Sequence, residues 1–163
     1  MPIRRLLTLL LLLVGLLALP IPAGAGVRTD AELARVTNAD RQQRGRSRLA
    51  TSPALAKLAR AHSVAMANRS ASRFGGRCVG SALWHNDISR GSGRWVWLGQ
   101  NVGCITMGRG GMRPAIRGLQ NAFLSSPGHR ANILSTRANA FGVGTHIRGR
   151  TIWVTVNFKQ VPG

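Results

Sequence analysis

The spacing of apolar positions changes several times along the 163-residue chain, and each change marks a new element. Over residues 6–19 apolar side chains follow one another almost without a break, interrupted only by Thr8 and Gly15. Arg4 and Arg5 precede this run, Pro20 and Pro22 end it, and the small residues Ala23-Gly24-Ala25 follow. That order is the layout of a cleavable secretory signal, expected over residues 1–25 with the cut after Ala25. The run is shorter than the roughly 20 residues a spanning helix needs, and prolines close it. No later stretch is apolar for long enough to cross a bilayer. Residues 26–163 are therefore expected to form one domain that is secreted, extracellular or attached to the cell envelope.

Beyond the signal the pattern becomes helical. Thr29-Asp30-Ala31-Glu32 has the form of a capping box, and Leu33, Val36 and Thr37 recur behind it at helical spacing. This predicts a helix over residues 30–44, closed by Gly45. Ser52-Pro53 is a cap followed by a first-turn proline, and Leu55, Leu58, Ala59, His62, Ala65 and Met66 form one stripe, predicting a helix to about Arg69. Residues 70–94 lose all period and read as a long ordered loop. Trp95-Val96-Trp97-Leu98 with Asn101-Val102 suggests a buried strand or an irregular extended segment, and residues 107–111 a glycine-rich turn. Ile116, Leu119, Ala122 and Phe123 predict a helix over residues 114–124, and Ser126-Pro127 opens a short one toward Leu134. In the last part, Phe141, Val143 and Thr145 alternate with Gly142, Gly144 and His146, Arg148-Gly149-Arg150 turns the chain, and Ile152 to Phe158 returns as a central strand. Helices flanking strands in this order argue for an α-β-α layered domain.

Charge adds a constraint on partners. Lys and Arg number 23 against four Asp and Glu, a formal net charge of +19. Such a field draws the protein toward acidic polymers and anionic membrane surfaces without specifying a site. The basic residues are scattered, apart from Arg41, Arg44, Arg46 and Arg48, and read as a solvated surface. No motif that reads nucleic-acid sequence is present, so no specific nucleic-acid partner is expected. Cys78 and Cys104 are the only cysteines, and in an oxidising compartment the pair is expected to form a disulfide.

Reactive side chains are few. The carboxylates are Asp30, Glu32, Asp40 and Asp87, and three of them belong to the first helix. A two-carboxylate glycosidase lacks its parts, and so does an oxygen-ligated magnesium or calcium site. Of the four histidines, His62 lies on the apolar stripe and reads as a hydrogen-bonded core residue, and His146 alternates in the hairpin. His85 follows Trp84 in the long loop, and His129 stands in the first turn of the helix opened by Ser126. A helix N-terminus and a positive protein both favour its neutral form. Ser126 reads as that helix's cap rather than a nucleophile, because no G-x-S-x-G elbow surrounds it.

Two segments, Gly99-Gln100-Asn101-Val102 and Ser126-Pro127-Gly128-His129-Arg130-Ala131-Asn132-Ile133-Leu134, resemble signature regions of the CAP superfamily. These are secreted proteins related to cysteine-rich secretory proteins, antigen 5 and plant pathogenesis-related proteins, also called SCP domains. Asn38, Arg41, Gly45, Leu49 and Leu55, then His85, then Trp153-Val154-Thr155-Val156-Asn157-Phe158 are similar as well, in the same order. The likeness covers nearly all of residues 26–163 and is greatest to the short bacterial branch. It implies an α+β fold, a three-layer α-β-α sandwich with a cleft on one side. In many relatives the cleft holds two His and two Glu, and some bind zinc there. By motif position the two His are His85 and His129, while Gln100 and Ser126 stand where the two Glu would be. Two imidazoles fall short of the three protein ligands usual for a catalytic zinc, and Gln is a poor ligand and no base.

The resemblance thus implies a non-catalytic secreted protein that binds a lipid or cell-envelope ligand in a cleft of His85, Gln100, Asn101, Ser126 and His129. No cofactor is expected beyond, at most, zinc held weakly by His85 and His129. The same two residues are the candidates for catalysis in the rival reading, a metal-assisted hydrolase with Asp87 or His146 as third ligand. A third reading is an electrostatic binder of acidic envelope polymers.

Overall fold

The computed structural model describes residues 24–163, with side chains from residue 26. The signal expected over residues 1–25 lies outside them, apart from Gly24 and Ala25, with which the first helix opens. In chain order the elements are α1 (Gly24–Gln43), β1 (Ala50–Thr51), α2 (Pro53–Phe74), a 3-10 turn (Gly80–Ala82), β2 (Trp97–Thr106), α3 (Met112–Ser125), α4 (Pro127–Ile133), β3 (Ala140–Arg148) and β4 (Thr151–Gln160). The strands form one sheet in the order β1-β3-β4-β2, with β4 in the interior and β2 at an edge. β3 and β4 are the expected hairpin, β2 runs antiparallel to β4, and β1 adds a short parallel pairing to β3. This is the α-β-α sandwich expected from the pattern of elements.

β4 sets the layers, because successive residues of a strand point to opposite faces. Ile152, Val154, Val156 and Phe158 enter one core with Leu33 and Val36 of α1, Ile116, Leu119 and Phe123 of α3, and Ile133 of α4. Trp153 points the other way, into a smaller cluster with Met66 and Ala67 of α2, Ala82 and Val102. Behind Trp153 on that face come Thr155, Asn157 and Lys159, all buried, so the α2 side of the sheet is largely polar. Each is bonded: Thr155 to Ser63 Oγ at 3.0 Å, Asn157 to the Leu55 carbonyl at 3.3 Å, and Lys159 Nζ to the Ser92 carbonyl at 2.8 Å.

The glycines that alternate through β3 explain how α2 docks. A Cβ on Gly142 would lie 2.2 Å from the Ala56 nitrogen, and one on Gly144 would lie 2.0 Å from the Arg60 nitrogen. The α2 backbone therefore rests directly on the strand, where no side chain could intervene. Its start follows the sequence signals: Ser52 Oγ accepts from the Leu55 N–H at 3.4 Å, Pro53 occupies the first turn, and Gly75 (φ 61°) closes the helix in the left-handed conformation. Cys78 and Cys104 form the expected disulfide, tying the segment after α2 to β2.

Several local expectations are corrected. α1 begins at Gly24 rather than Asp30, so Thr29-Asp30-Ala31-Glu32 is no capping box. The backbone donors it would serve already lie inside a helix. Instead Thr29 is fully buried, Asp30 Oδ1 accepts from the Thr145 N–H at 2.7 Å, and Glu32 pairs with Arg35 at 2.7 Å. α2 continues past Arg69 to Phe74. Trp95 and Val96 lie outside β2 and are 41% and 51% exposed, while Ala65 and Ala122, expected inside, are exposed. Ser126 stands at the N-cap of α4, but its hydroxyl makes no capping bond.

Arg41 departs furthest from its reading as a solvated residue. It is 2% exposed, and its guanidinium donates to the carbonyls of Ser47 (2.8 Å), Ile133 (2.5 Å) and Ser135 (3.1 Å). These bonds tie the end of α4 to the loop after α1.

Candidate functional site

β2 lies at the edge of the sheet, so its two faces are reached from different helical layers. Gln100 points to the α2 side, opposite Asn157 in the ladder, and Asn101 points to the α4 side, opposite Val156. On the first side Gln100 is surrounded by partners. Its Oε1 accepts from the Asn86 N–H at 3.2 Å and meets His85 Nδ1 at 3.2 Å. Its Nε2 donates to Asn86 Oδ1 and to Asn157 Oδ1, both at 2.9 Å. Both amide hydrogens and the carbonyl are thereby engaged, and the amide is held in one orientation.

On the other side, Asn101 is fully buried and its Nδ2 donates to the His129 carbonyl at 3.0 Å. Asn132 completes the link, donating to the Gln100 carbonyl at 3.2 Å and to Asn101 Oδ1 at 2.9 Å. α4 is thus stitched to the strand that carries Gln100. The His129 ring packs on Phe123 with centroids 4.8 Å apart. Burial holds the His129 pKa below the usual imidazole value, and the charge of His85 lowers it further. A neutral His129 was expected from its place at the start of α4; burial is the larger cause.

The structure brings His85 into contact with Gln100, and joins Asn101 to the backbone of His129. Ser126 makes no side-chain bond to this group. Asp87 is exposed, and its Oδ1 accepts from the Ser89 N–H at 2.8 Å; the Ser89 side chain first, and this backbone bond second, lower its pKa. His146 is half-buried in β3, two strands away from β2, and its pKa is lowered first by burial and then by Arg148 and Arg60.

A third imidazole adjoins the group. His62 is buried, its Nδ1 lies 3.3 Å from Thr155 Oγ1, and its ring meets Trp84 edge-on at 5.0 Å. Its Nε2 has no partner. Burial lowers its pKa, and so does the nearby His85. The reading as a core histidine holds, with the addition that it lies beneath Trp84, the neighbour of His85.

Asn86, Asn132 and Asn157 were not singled out for the site. Asn157 had a visible signal: Asn is depleted in strands, so an Asn between Val156 and Phe158 in a central strand must satisfy a specific bond. Asn86 and Asn132 sit in loop and helix positions where Asn is ordinary, and nothing in their spacing points to Gln100.

The donor set does not fit a resident zinc. Among the described residues, no three His, Cys, Asp or Glu side chains converge where an ion could sit. A catalytic zinc needs three protein ligands, and here the side chain beside His85 is an amide whose atoms are already bonded. No helix among the described residues is long and apolar enough to cross a membrane.

A model of the cysteine-rich secretory protein family matches residues 34–158. No curated protein sequence matches the chain as a relative. Among solved structures, a cysteine-rich secretory protein from Staphylococcus aureus superposes with a TM-score of 0.58 at 17% identity, over 85% of this chain and 40% of that one. An extracellular protein containing an SCP domain from Bacillus anthracis gives 0.60 at 19% identity, over 83% and 41%. An outer surface protein from Borrelia burgdorferi gives 0.56 at 14% identity, over 83% and 94%. The chain spans about two fifths of the first two proteins, and at these identities the likeness concerns the fold. Together with the family match, it identifies the chain as a member of the CAP, or cysteine-rich secretory protein, family.

Proposed function

We propose that this protein acts outside the cytoplasm as a ligand-binding CAP domain without catalysis of its own, using the groove of His85, Gln100, Asn101, Ser126 and His129. The observation that carries the reading is the amide of Gln100. All its hydrogen-bonding atoms are engaged by Asn86, Asn157 and His85, so the position offers neither a proton acceptor nor a free metal ligand. General acid-base work needs a titrating group there, and an amide does not titrate. What remains is a neutral, half-buried His129 and an exposed His85, both able to hydrogen-bond a ligand's hydroxyl or carbonyl group.

A lipid or another amphiphilic envelope component suits the surroundings. The segment joining His85 to Gln100 exposes two apolar side chains, Trp95 and Val96. Binding is measured by fluorescence of the tryptophans on titration with fatty acids, sterols and envelope extracts. A saturable change lost in His129→Ala, with no peptide or ester hydrolysis by the wild type, is the expected result. Hydrolysis that His129→Ala abolishes would overturn the reading.

A further inference from the structure

We propose that the concavity between α1, α3 and α4 is a second binding site, one that takes a phosphate-type oxyanion. The cavity has a volume of about 300 Å³ and is lined by Arg44, Asn121, Leu124, Ser125 and Arg130. Its polar lining is Arg44, next after the end of α1, Arg130 of α4, and Asn121 and Ser125 from the last turns of α3. Forked guanidinium donors with neutral donors beside them match the geometry of a tetrahedral oxyanion.

Arg130 lacks an internal partner, and Arg44 shares the one it has. The side chains of Asn121, Ser125 and Arg130 have no hydrogen-bond or ion-pair partner among the described residues. Arg44 reaches Asp40 Oδ1 at 3.4 Å, but that carboxylate is shared with Arg117, also at 3.4 Å. Asp40 is 5% exposed and is the sole carboxylate in contact with this group. Arg41 lies beneath, bonded to carbonyls alone. An anion would supply the negative charge that Arg130 does not find within the fold and that Arg44 finds only in a carboxylate shared with Arg117.

The backbone segments that carry the two arginines are also tied together. Arg41 joins the loop after α1 to the end of α4, so the elements that carry Arg44 and Arg130 cannot drift apart without breaking buried bonds. With the backbones fixed, only side-chain freedom is lost on binding, less than for two arginines on a mobile surface. A second concavity of about 380 Å³ shares Ser125 and Arg130 and adds Pro127, Ala131 and Leu134. It offers apolar surface beside the cations, as a phospholipid headgroup with its glycerol would use; a free phosphate would not need it.

The test uses the protein without its signal segment, with inorganic phosphate as the probe and amide NMR shifts as the readout. Saturable shifts centred on residues 121–130 are expected. Arg44→Gln with Arg130→Gln should weaken the affinity at least about tenfold, as loss of two charge-assisted contacts implies. The charge-matched pair Arg73→Gln with Arg90→Gln, on exposed positions elsewhere, should change it less than about twofold, since remote charges are screened. Both pairs lie on the surface, and circular dichroism checks that they fold. Absence of saturable binding, or equal weakening by the two pairs, overturns the site. Vesicles then separate the sources. Phosphatidylglycerol vesicles that retain wild type better than the Arg44/Arg130 variant point to a headgroup. Equal retention of both, with phosphate binding still lost in that variant, points to a free phosphate group.

Discussion

Gln100 and Asn157 face each other across the β2–β4 ladder, and Gln100 Nε2 donates to Asn157 Oδ1 at 2.9 Å. Asn157 is fully buried and its own Nδ2 is turned to the Leu55 carbonyl. The interior of the sheet therefore sets which end of the Gln100 amide points where, and leaves its carbonyl facing His85 and Asn86. The orientation of the Gln100 side chain is thus set by the core.

Gln100→Glu tests this arrangement from the chemical side. A carboxylate has no hydrogen to give Asn157 Oδ1 or Asn86 Oδ1, so the variant should lose about 1–3 kcal/mol of stability, the cost of leaving the buried Asn157 acceptor unpaired. It should also bind zinc more tightly than wild type, because a charged oxygen now stands beside His85. Urea denaturation and calorimetry with zinc measure the two effects. Micromolar or tighter zinc binding by wild type, lost in His85→Ala, would favour the metal-assisted rival. Unchanged zinc affinity in Gln100→Glu would mean that position 100 does not serve the histidines.

Gly144→Ala tests the docking of α2. The added methyl would sit 2.0 Å from the Arg60 nitrogen, a contact relieved only by moving the helix backbone. A loss of about 3 kcal/mol is expected, at the high end for overpacking because no flexible side chain can yield. Gly149→Ala, in the exposed turn between β3 and β4, serves as a contrast: its Cβ meets nothing within 4 Å, and its φ of 57° limits the cost to about 1 kcal/mol. Thermal unfolding of the two variants should rank them in that order.

Arg41→Met removes the guanidinium and roughly keeps the volume. The carbonyls of Ser47, Ile133 and Ser135 then lose their donor inside the protein, and destabilisation of about 2–4 kcal/mol follows. Hydrogen exchange should rise first in α4. Stability equal to wild type would show that water replaces the guanidinium at no cost.

Acid should destabilise the domain through its histidines. His62, His129 and His146 all have pKa values lowered in the fold, chiefly by burial. The unfolded chain thus binds their protons more readily than the folded one. Their stabilising contribution is complete above the unfolded imidazole value, about 6.5, and is lost as pH falls from there toward the folded values. Asp30 works in the opposite direction at lower pH, since burial raises its pKa against the pull of Thr145 and Arg60. Urea midpoints measured from neutral to mildly acid pH should fall, and His62→Gln should flatten the slope.

The order of elements was legible in the chain because it rests on local physics. Side-chain period, Ser52-Pro53 and Gly45 act within a few residues, and the end of α1, the start of α2, α3 and the β3–β4 hairpin appear close to where these signals put them. The same locality explains the misreadings. Thr29-Asp30-Ala31-Glu32 has the form of a cap, but Asp30 is drawn to Thr145, 115 positions away. Arg41 sits among other arginines in sequence and alone inside the core, because its partners come from residues 133 and 135. β1 depends on a parallel pairing to β3 that no short pattern announces.

The sequence by itself determined the layered architecture, the disulfide pair, the basic balance and the shortage of carboxylates, since these follow from residue types and from neighbours along the chain. Only the tertiary structure decided that Gln100 is locked between Asn86 and Asn157, that Asn101 and Asn132 bind α4 to β2, and that Arg44 and Arg130 share a concavity. Those contacts join residues far apart in the chain, and the direction of a side chain is set by what packs around it, which spacing alone does not encode.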